Sequence, residues 1–297
     1  MDIWIIATLF AAAVQTMRFM LQKQVKAAGL STGGATVSRF LFAVPLAALA
    51  AVALAQMYAE PWPSFTPIFW IYAAVGGLGQ IVGTYCTVTL FSLRNFAVGI
   101  AFTKTETVQV ALFSLVFLGE AVTGMGLLAI FVGLAGVILI SLKPAGTEGG
   151  VGSRAVALGL LGGAMFGISA IGYRGATLEV GDGNYLFRAA LTLSVVTLLQ
   201  SVAMSVWLRL REPGELTKVL RSWRSTLPVG VTGLLGSFGW FTAFTLQNAA
   251  YVRALGQVEL IFGFAVTVLV FRERLSAREI GGGLLLGLSV AMLVLFL

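Results

Sequence analysis

Thr103-Lys104-Thr105-Glu106-Thr107-Val108-Gln109 breaks into one long apolar run, and Gly256-Gln257-Val258-Glu259 breaks into another. The two glutamates stand 153 residues apart, and so do Glu120 and Glu273 (259 − 106 = 273 − 120 = 153). In that unshifted frame Gly77 falls on Gly230, Gly83 on Gly236, Thr89 on Thr242, Phe91 on Phe244, Asn95 on Asn248 and Ala101 on Ala254. Apolar matches are cheap in an apolar chain. Matched Asn and Glu are not, because an ionised side chain inside a bilayer-spanning helix costs about 2.5–3.5 kcal/mol on insertion scales. The chain therefore reads as two copies of one membrane unit, a construction common among transporters.

Composition agrees. Of 297 residues, 58% are hydrophobic and 10% charged, where a soluble domain carries about 25% charged residues. Ten apolar spans can be marked: Ile3–Gln22, Gly33–Ala55, Pro67–Phe91, Asn95–Leu118, Val122–Leu142, Ala155–Tyr173, Asn184–Leu208, Leu227–Leu246, Ala249–Phe271 and Ala277–Leu297. Each suits a helix crossing ~30 Å of hydrocarbon. Continuous apolarity, rather than period-2 alternation, argues against a β-barrel. The expected fold is an all-α membrane protein of ten transmembrane helices. The expected domains are five-helix repeats at 1–145 and 151–297, joined by Lys143-Pro144-Ala145-Gly146-Thr147-Glu148-Gly149-Gly150. An odd number of helices per copy turns the second upside-down, so the repeats are inverted.

Charge sets the expected orientation. Lys23, Lys26, Arg94, Lys143, Arg154, Arg209, Arg211, Lys218, Arg221, Arg224, Arg272, Arg274 and Arg278 fall in loops on one side. Asp2, Glu60, Glu120, Glu179 and Asp182 fall on the other, with Arg174 as its lone loop cation. The positive-inside rule makes the first side cytoplasmic and puts both termini outside, in a bacterial inner membrane. The formal net charge of +7 is then a topology signal, not a nucleic-acid footprint. Met1-Asp2-Ile3-Trp4 lacks a basic n-region, so the first span reads as a retained helix.

Several chemistries drop out. One cysteine, Cys86, forms no internal disulfide and no Cys-based metal site; the absence of histidine excludes His relays and His ligands. There is no Walker loop, nucleophile–base set or paired-carboxylate motif, so neither an enzyme, a cofactor nor a metal is expected.

Polar residues within spans are the candidates for a site. Glu106 and Glu259 sit near the middles of their spans and face the bundle interior, either framing a polar cavity or holding helices together. Lys104 and Gln257 accompany them. Gln15 and Arg18 share one face of the first span, with Arg18 a partner for Glu106, Glu259 or a substrate anion. Gln80, Thr84 and Thr87 form a polar stripe beside Tyr85. In the eighth span Ser237, Trp240 and Phe244 repeat that spacing; Tyr85 and Trp240 offer an apolar face with a polar tip. The plainer reading makes Arg39 and Arg188 helix-end anchors and makes Glu120 and Glu273 turn residues. Gly79/Gly83, Gly163/Gly167 and Gly283/Gly287 are close-packing positions.

Two five-span copies, an Arg early in the second span of each, and a turn glutamate followed by Ser/Thr and glycine-rich helices carry a resemblance. The turn stretches are Gly119-Glu120-Ala121-Val122-Thr123 and Arg272-Glu273-Arg274-Leu275-Ser276. Over essentially its whole length the chain resembles the EamA family of the drug/metabolite transporter superfamily. Gly119 and Ala121 depart from the usual basic residue around the turn Glu, and Gln15-Thr16 with Arg18 replaces the usual Trp-Gly of the first helix. The chain is also similar to bacterial YddG-type amino-acid exporters. The resemblance implies a central cavity lined by the first, third, fourth, sixth, eighth and ninth helices, and export of aromatic and other neutral amino acids or similar metabolites by alternating access. The working unit expected is a monomer in the lipid bilayer with a small-molecule substrate and no nucleic acid. Glu106 or Glu259 would take the substrate ammonium, and Lys104 or Arg18 its carboxylate. The rival loads are lipophilic cations or drugs; a lipid scramblase or membrane enzyme is the reading from another class.

Overall fold

The computed structural model describes residues 2–93, 103–141, 153–262 and 277–296. Twelve helices run through them: α1 Ile3–Ala27, α2 Thr32–Leu41, α3 Ala43–Met57, α4 Pro67–Leu90, α5 Glu106–Leu118, α6 Gly124–Ser141, α7 Ser153–Glu179, α8 Tyr185–Arg211, α9 Glu215–Arg221, α10 Trp223–Leu246, α11 Ala249–Gly256 and α12 Ala277–Phe296. No strand occurs among the described residues. Among the described residues six segments are long and apolar enough to cross a bilayer: α1, α2 with α3, α4, α7, α8 and α10. The protein is a membrane-embedded helical bundle. Its outward surface carries Leu49, Leu112, Val116, Leu284 and Leu295, all more than half exposed, as side chains facing lipid should be.

Local chemistry starts and stops the helices. Thr66 caps α4, its Oγ1 accepting from the Phe69 amide at 3.0 Å, and Pro67 occupies the first turn, where its missing N–H costs nothing. Ser31 and Asn184 cap α2 and α8 in the same way. Gly119 ends α5 at φ +66°, a left-handed position that glycine takes without strain.

The helices outrun several of the expected spans. α1 continues to Ala27 instead of stopping at Gln22, and α7 to Glu179 instead of Tyr173. Gly33–Ala55 is not one straight helix. It breaks at Phe42, because Pro45 has no amide to donate to the Leu41 carbonyl. Glu215–Arg221, expected as loop, forms the short α9. Residues 94–102, the 143–150 linker and Arg272-Glu273-Arg274 lie outside the described residues.

Packing joins distant parts of the chain. α4 lies along α7, α1 along α10, α6 along α12, α3 along α8, and α5 meets α11. Small residues make the tightest seam: a methyl on Gly172 of α7 would lie 2.5 Å from Gly76 Cα in α4. In lipid no hydrophobic effect drives helices together, so such backbone proximity, with the dispersion contacts it permits, holds them.

Candidate functional site

Glu106 and Glu259 do not sit in mid-helix. Thr103 is helical, Lys104-Thr105 form a turn, and α5 begins at Glu106; α11 ends at Gly256, Gln257-Val258 form a turn, and 259–262 are helical again. The two turns are 153 residues apart, in the frame of the glutamates (257 − 104 = 258 − 105 = 153). At the second, the amides of Leu260 and Ile261 bond three residues back (3.0 and 2.9 Å), a locally tightened helix. A break frees backbone and side-chain polar groups within the membrane, which lipid does not tolerate unless they face protein or water.

The carboxylates are buried, Glu106 at 5% and Glu259 at 9% exposure, and each is held from the other half of the chain. Both Glu106 oxygens accept from Arg253 Nη2 at 2.7 Å. Glu259 is ion-paired with Lys104 and accepts from Gln15 Nε2 at 2.8 Å. The Gln15 carbonyl oxygen accepts in turn from Trp240 Nε1 at 3.1 Å. The Arg253 guanidinium lies over the Trp240 ring, 4.9 Å from its centre. A methyl on Gly256 would meet that ring, so a glycine at the helix break is what lets Trp240 lie against it.

Beside these pairs is a cavity of about 340 Å³. Gln15, Lys104, Glu106, Arg253 and Glu259 form its polar end; Phe19, Phe91, Phe166 and Leu260 form apolar wall; exposed Lys23 stands where it reaches the surface. That volume suits a small metabolite. A deeper chamber of about 20 Å³ shares Gln15, Phe166 and Arg253 with it and is walled also by Arg39, Gln80, Ser169, Tyr173, Ser237 and Trp240. Helices α1, α4, α7 and α11, with the 103–106 turn, meet at the main cavity, while α2 and α10 reach the deep chamber and not the main cavity.

The far side is closed by contacts among α5, α7, α10, α11 and the turn between α5 and α6. Arg174 donates from Nε and Nη2 to Glu120 at 2.5–2.9 Å and from Nη1 to the Phe244 carbonyl at 2.6 Å. Ser114 Oγ donates to Asn248 Oδ1 at 3.2 Å, and the Thr123 amide donates to Tyr251 Oη at 2.8 Å. The Tyr173 and Phe241 rings pack against each other, tilted by 31°, with centres 4.2 Å apart.

Of the residues expected in a site, Gln15, Lys104, Glu106 and Glu259 line the main cavity, and Gln80 and Trp240 the deep chamber. Gln257 is 2% exposed beside a third small void, and among the described residues neither of its amide atoms has a hydrogen-bond partner. Two fall elsewhere. Tyr85 packs edge-on against Trp207, away from both cavities. Arg18 lies behind the chamber wall and bonds Gln22 rather than a glutamate.

Arg39 and Arg174 also differ from expectation. Arg39 is no interfacial anchor; it is 5% exposed, and donates from Nη1 to Thr84 Oγ1 (3.0 Å) and from Nη2 to Ser237 Oγ (3.2 Å). Those two hydroxyls are equivalent positions of the 153-residue frame (237 − 84 = 153). With the Gln80 amide oriented by its neighbours, its oxygen accepts from Arg39 Nη1 at 2.5 Å and its nitrogen donates to Ser169 at 2.8 Å. Arg174 lies within α7, not in a loop, because that helix runs on to Glu179. Arg188 stays a helix-end residue, donating to the Thr177 carbonyl.

Arg253 was missed by sequence reasoning. Its counterpart in the frame is Ile100, so a search for matched polar pairs passes over it (253 − 153 = 100). The signal was there all the same: a lone cation within Ala249-Ala250-Tyr251-Val252-Arg253-Ala254-Leu255.

No known protein family matches the chain's sequence, and no curated protein matches it. One crystal structure, described only as that of a protein, is similar in fold: TM-score 0.69 over 96% of this chain and 95% of that one, at 14% identity. At that identity the likeness speaks to the fold alone.

Proposed function

We propose that this protein is a secondary carrier that exports a small carboxylate-bearing metabolite, such as an amino acid, across a bacterial inner membrane by alternating access. One observation carries the reading: a cavity of about 340 Å³ ends on two helix breaks whose charged residues pair across the halves of the chain. Broken helices at membrane depth, flanking a cavity, are how secondary carriers hold a polar solute.

Ten spans in two inverted five-helix repeats account for the packing. A two-fold relation exchanges the first span with the sixth and the third with the eighth. It therefore turns the α1–α10 pair into the α7–α4 pair, and both are close neighbours. It also places the Lys104-Thr105 turn on the Gln257-Val258 turn. The EamA-like reading of the sequence fits this arrangement.

The cavity reaches the surface beside Lys23, on the Lys-rich side that the positive-inside rule assigns to the cytoplasm. The Glu120–Arg174 pair and the Ser114–Asn248 bond close the opposite side. This is an inward-facing state, loaded from the cytoplasm. Lipophilic-cation export gains nothing from the site, since a cation would have to displace Arg253 or Lys104 from the acids.

The test is exchange in liposomes. Purified protein should accelerate counterflow of radiolabelled amino acids or small organic acids, saturably, over protein-free vesicles. Lys104→Met should lower it at least tenfold, about 1.4 kcal/mol. No solute moving faster than in empty vesicles would sink the carrier reading.

A further inference from the structure

Two buried arginines meet at one glycine. A methyl on Gly233 of α10 would lie 2.9 Å from Arg39 Cγ and 3.7 Å from Arg18 Cδ, so both stems converge there from α2 and α1. Arg18 is 2% exposed and Arg39 5%. Among the described residues neither is paired with a carboxylate. Arg18 Nη1 donates to the Gln22 amide oxygen at 2.9 Å, its guanidinium lies 4.4 Å from the centre of the Phe19 ring, and its Nη2 has no protein acceptor. Arg39 has only neutral acceptors: Thr84, Ser237 and the Gln80 amide.

The acids nearby are already engaged, Glu106 by Arg253 and Glu259 by Lys104. The cluster of Arg18, Arg39, Lys104 and Arg253 against Glu106 and Glu259 therefore sums to +2 (four cations less two anions). Taking an ion out of water costs several kcal/mol unless an opposite charge compensates it. Adjacent like charges add repulsion in a medium that screens poorly. Such a cluster is complete only with an anion in it.

We propose that the transported solute bears net negative charge, an organic acid anion or acidic amino acid, and that its acid group is seated at Arg39 with Arg18 behind. The proposal rests on the carrier reading and narrows its load. The seat is the deep chamber, reached from the main cavity past the Gln15–Trp240 hydrogen bond. About 20 Å³ admits one oxygen of the acid group, whose carbon and second oxygen stay at the chamber mouth. The remainder of the solute occupies the main cavity, against Phe19 and Phe166. A neutral zwitterion satisfies the seat with its carboxylate, but brings its ammonium toward Lys104 and Arg253 with both acids taken. A net anion brings no such conflict.

The probes are succinate, L-glutamate, L-phenylalanine and tetraphenylphosphonium, each tested for thermal stabilisation of the full chain in detergent and for exchange in liposomes. Succinate and L-glutamate should stabilise and exchange, with half-saturation at least tenfold below that of L-phenylalanine; tetraphenylphosphonium should do neither. Arg39→Gln should raise the half-saturation for succinate about ten- to hundredfold, the worth of a hydrogen bond to a charged group, and Arg39→Lys should raise it less. If Arg39→Gln does not yield monodisperse protein, the ranking of the four probes on the unaltered chain decides. L-phenylalanine matching or exceeding succinate, or an Arg39→Gln protein with unchanged succinate half-saturation, overturns the proposal and leaves the carrier reading standing. Failure of succinate and L-glutamate to exchange while another amino acid does overturns the proposal alone; failure of every amino acid and organic acid tried overturns both.

Discussion

Arg253 grips Glu106 through both carboxylate oxygens at 2.7 Å, joining positions 147 residues apart in the chain. With Lys104 on Glu259 it forms a reciprocal exchange: each half supplies the cation for the other half's acid. Rearrangement of one half against the other has to pass through these pairs, and they border the cavity that a solute would fill.

Removing one member of the Glu106–Arg253 pair should be far worse than removing both. Arg253→Gln leaves a buried carboxylate alone, at a cost of about 3–5 kcal/mol. Glu106→Gln together with Arg253→Gln should recover most of that loss. Thermal midpoints of the two single variants and the double variant in detergent provide the comparison; additive losses would mean that the two residues do not act as a pair.

Gln15 bridges Trp240 and Glu259 with its two amide atoms. Gln15→Leu strands the indole N–H and takes one donor from Glu259, about 1–3 kcal/mol for each buried group left unsatisfied. The expected result is a lower thermal midpoint and slower liposome exchange. Gln15→Glu should be worse than Gln15→Leu, because it sets a second carboxylate against Glu259. Equal effects of the two changes would show that Gln15 serves only as packing volume.

Arg174 ties the closed side together by reaching both Glu120 and the Phe244 carbonyl. Arg174→Lys keeps the charge but cannot make the fork and the carbonyl bond at once. A loss of about 1–3 kcal/mol is expected, read as a fall in thermal midpoint. An unchanged midpoint would leave the closure to Ser114–Asn248 and the Tyr173–Phe241 ring contact.

Two glycine substitutions should move stability in opposite directions. At Gly172 a methyl meets Gly76 Cα at 2.5 Å, so Gly172→Ala pries α4 from α7 at a cost of about 1–3 kcal/mol. Gly287, in α12, has nothing within 4 Å among the described residues, and Gly287→Ala should be neutral or stabilising by up to about 1 kcal/mol. Thermal unfolding of both variants side by side checks the contrast.

The site was partly legible before the fold was seen. A polar or charged residue in an apolar run points inward whatever the topology, which is why Gln15, Lys104, Glu106 and Glu259 were found and do border one cavity. The 153-residue frame, useful for the glutamates, hid Arg253, whose equivalent is apolar. Arg39 was misjudged from its nearness to a span's start. Burial there depends on α4 and α10, which supply Thr84 and Ser237, and no local pattern reports that. Tyr85 looked like cavity lining because it adjoins a polar stripe, but its helix face turns it toward Trp207.

By itself the sequence determined that this is a helical membrane protein with polar groups set inside long apolar runs. Apolar length, loop charge and repeat spacing are properties of the covalent chain, and the bilayer reads them segment by segment. Only the tertiary structure decided which cation serves which acid, that the helices break at Lys104-Thr105 and Gln257-Val258, and that Arg18 and Arg39 meet with no carboxylate of the described residues between them. Pairing of buried charges depends on distances of a few ångströms between helices far apart in the chain, and those are set by how glycine-rich seams such as Gly76–Gly172 let the helices close.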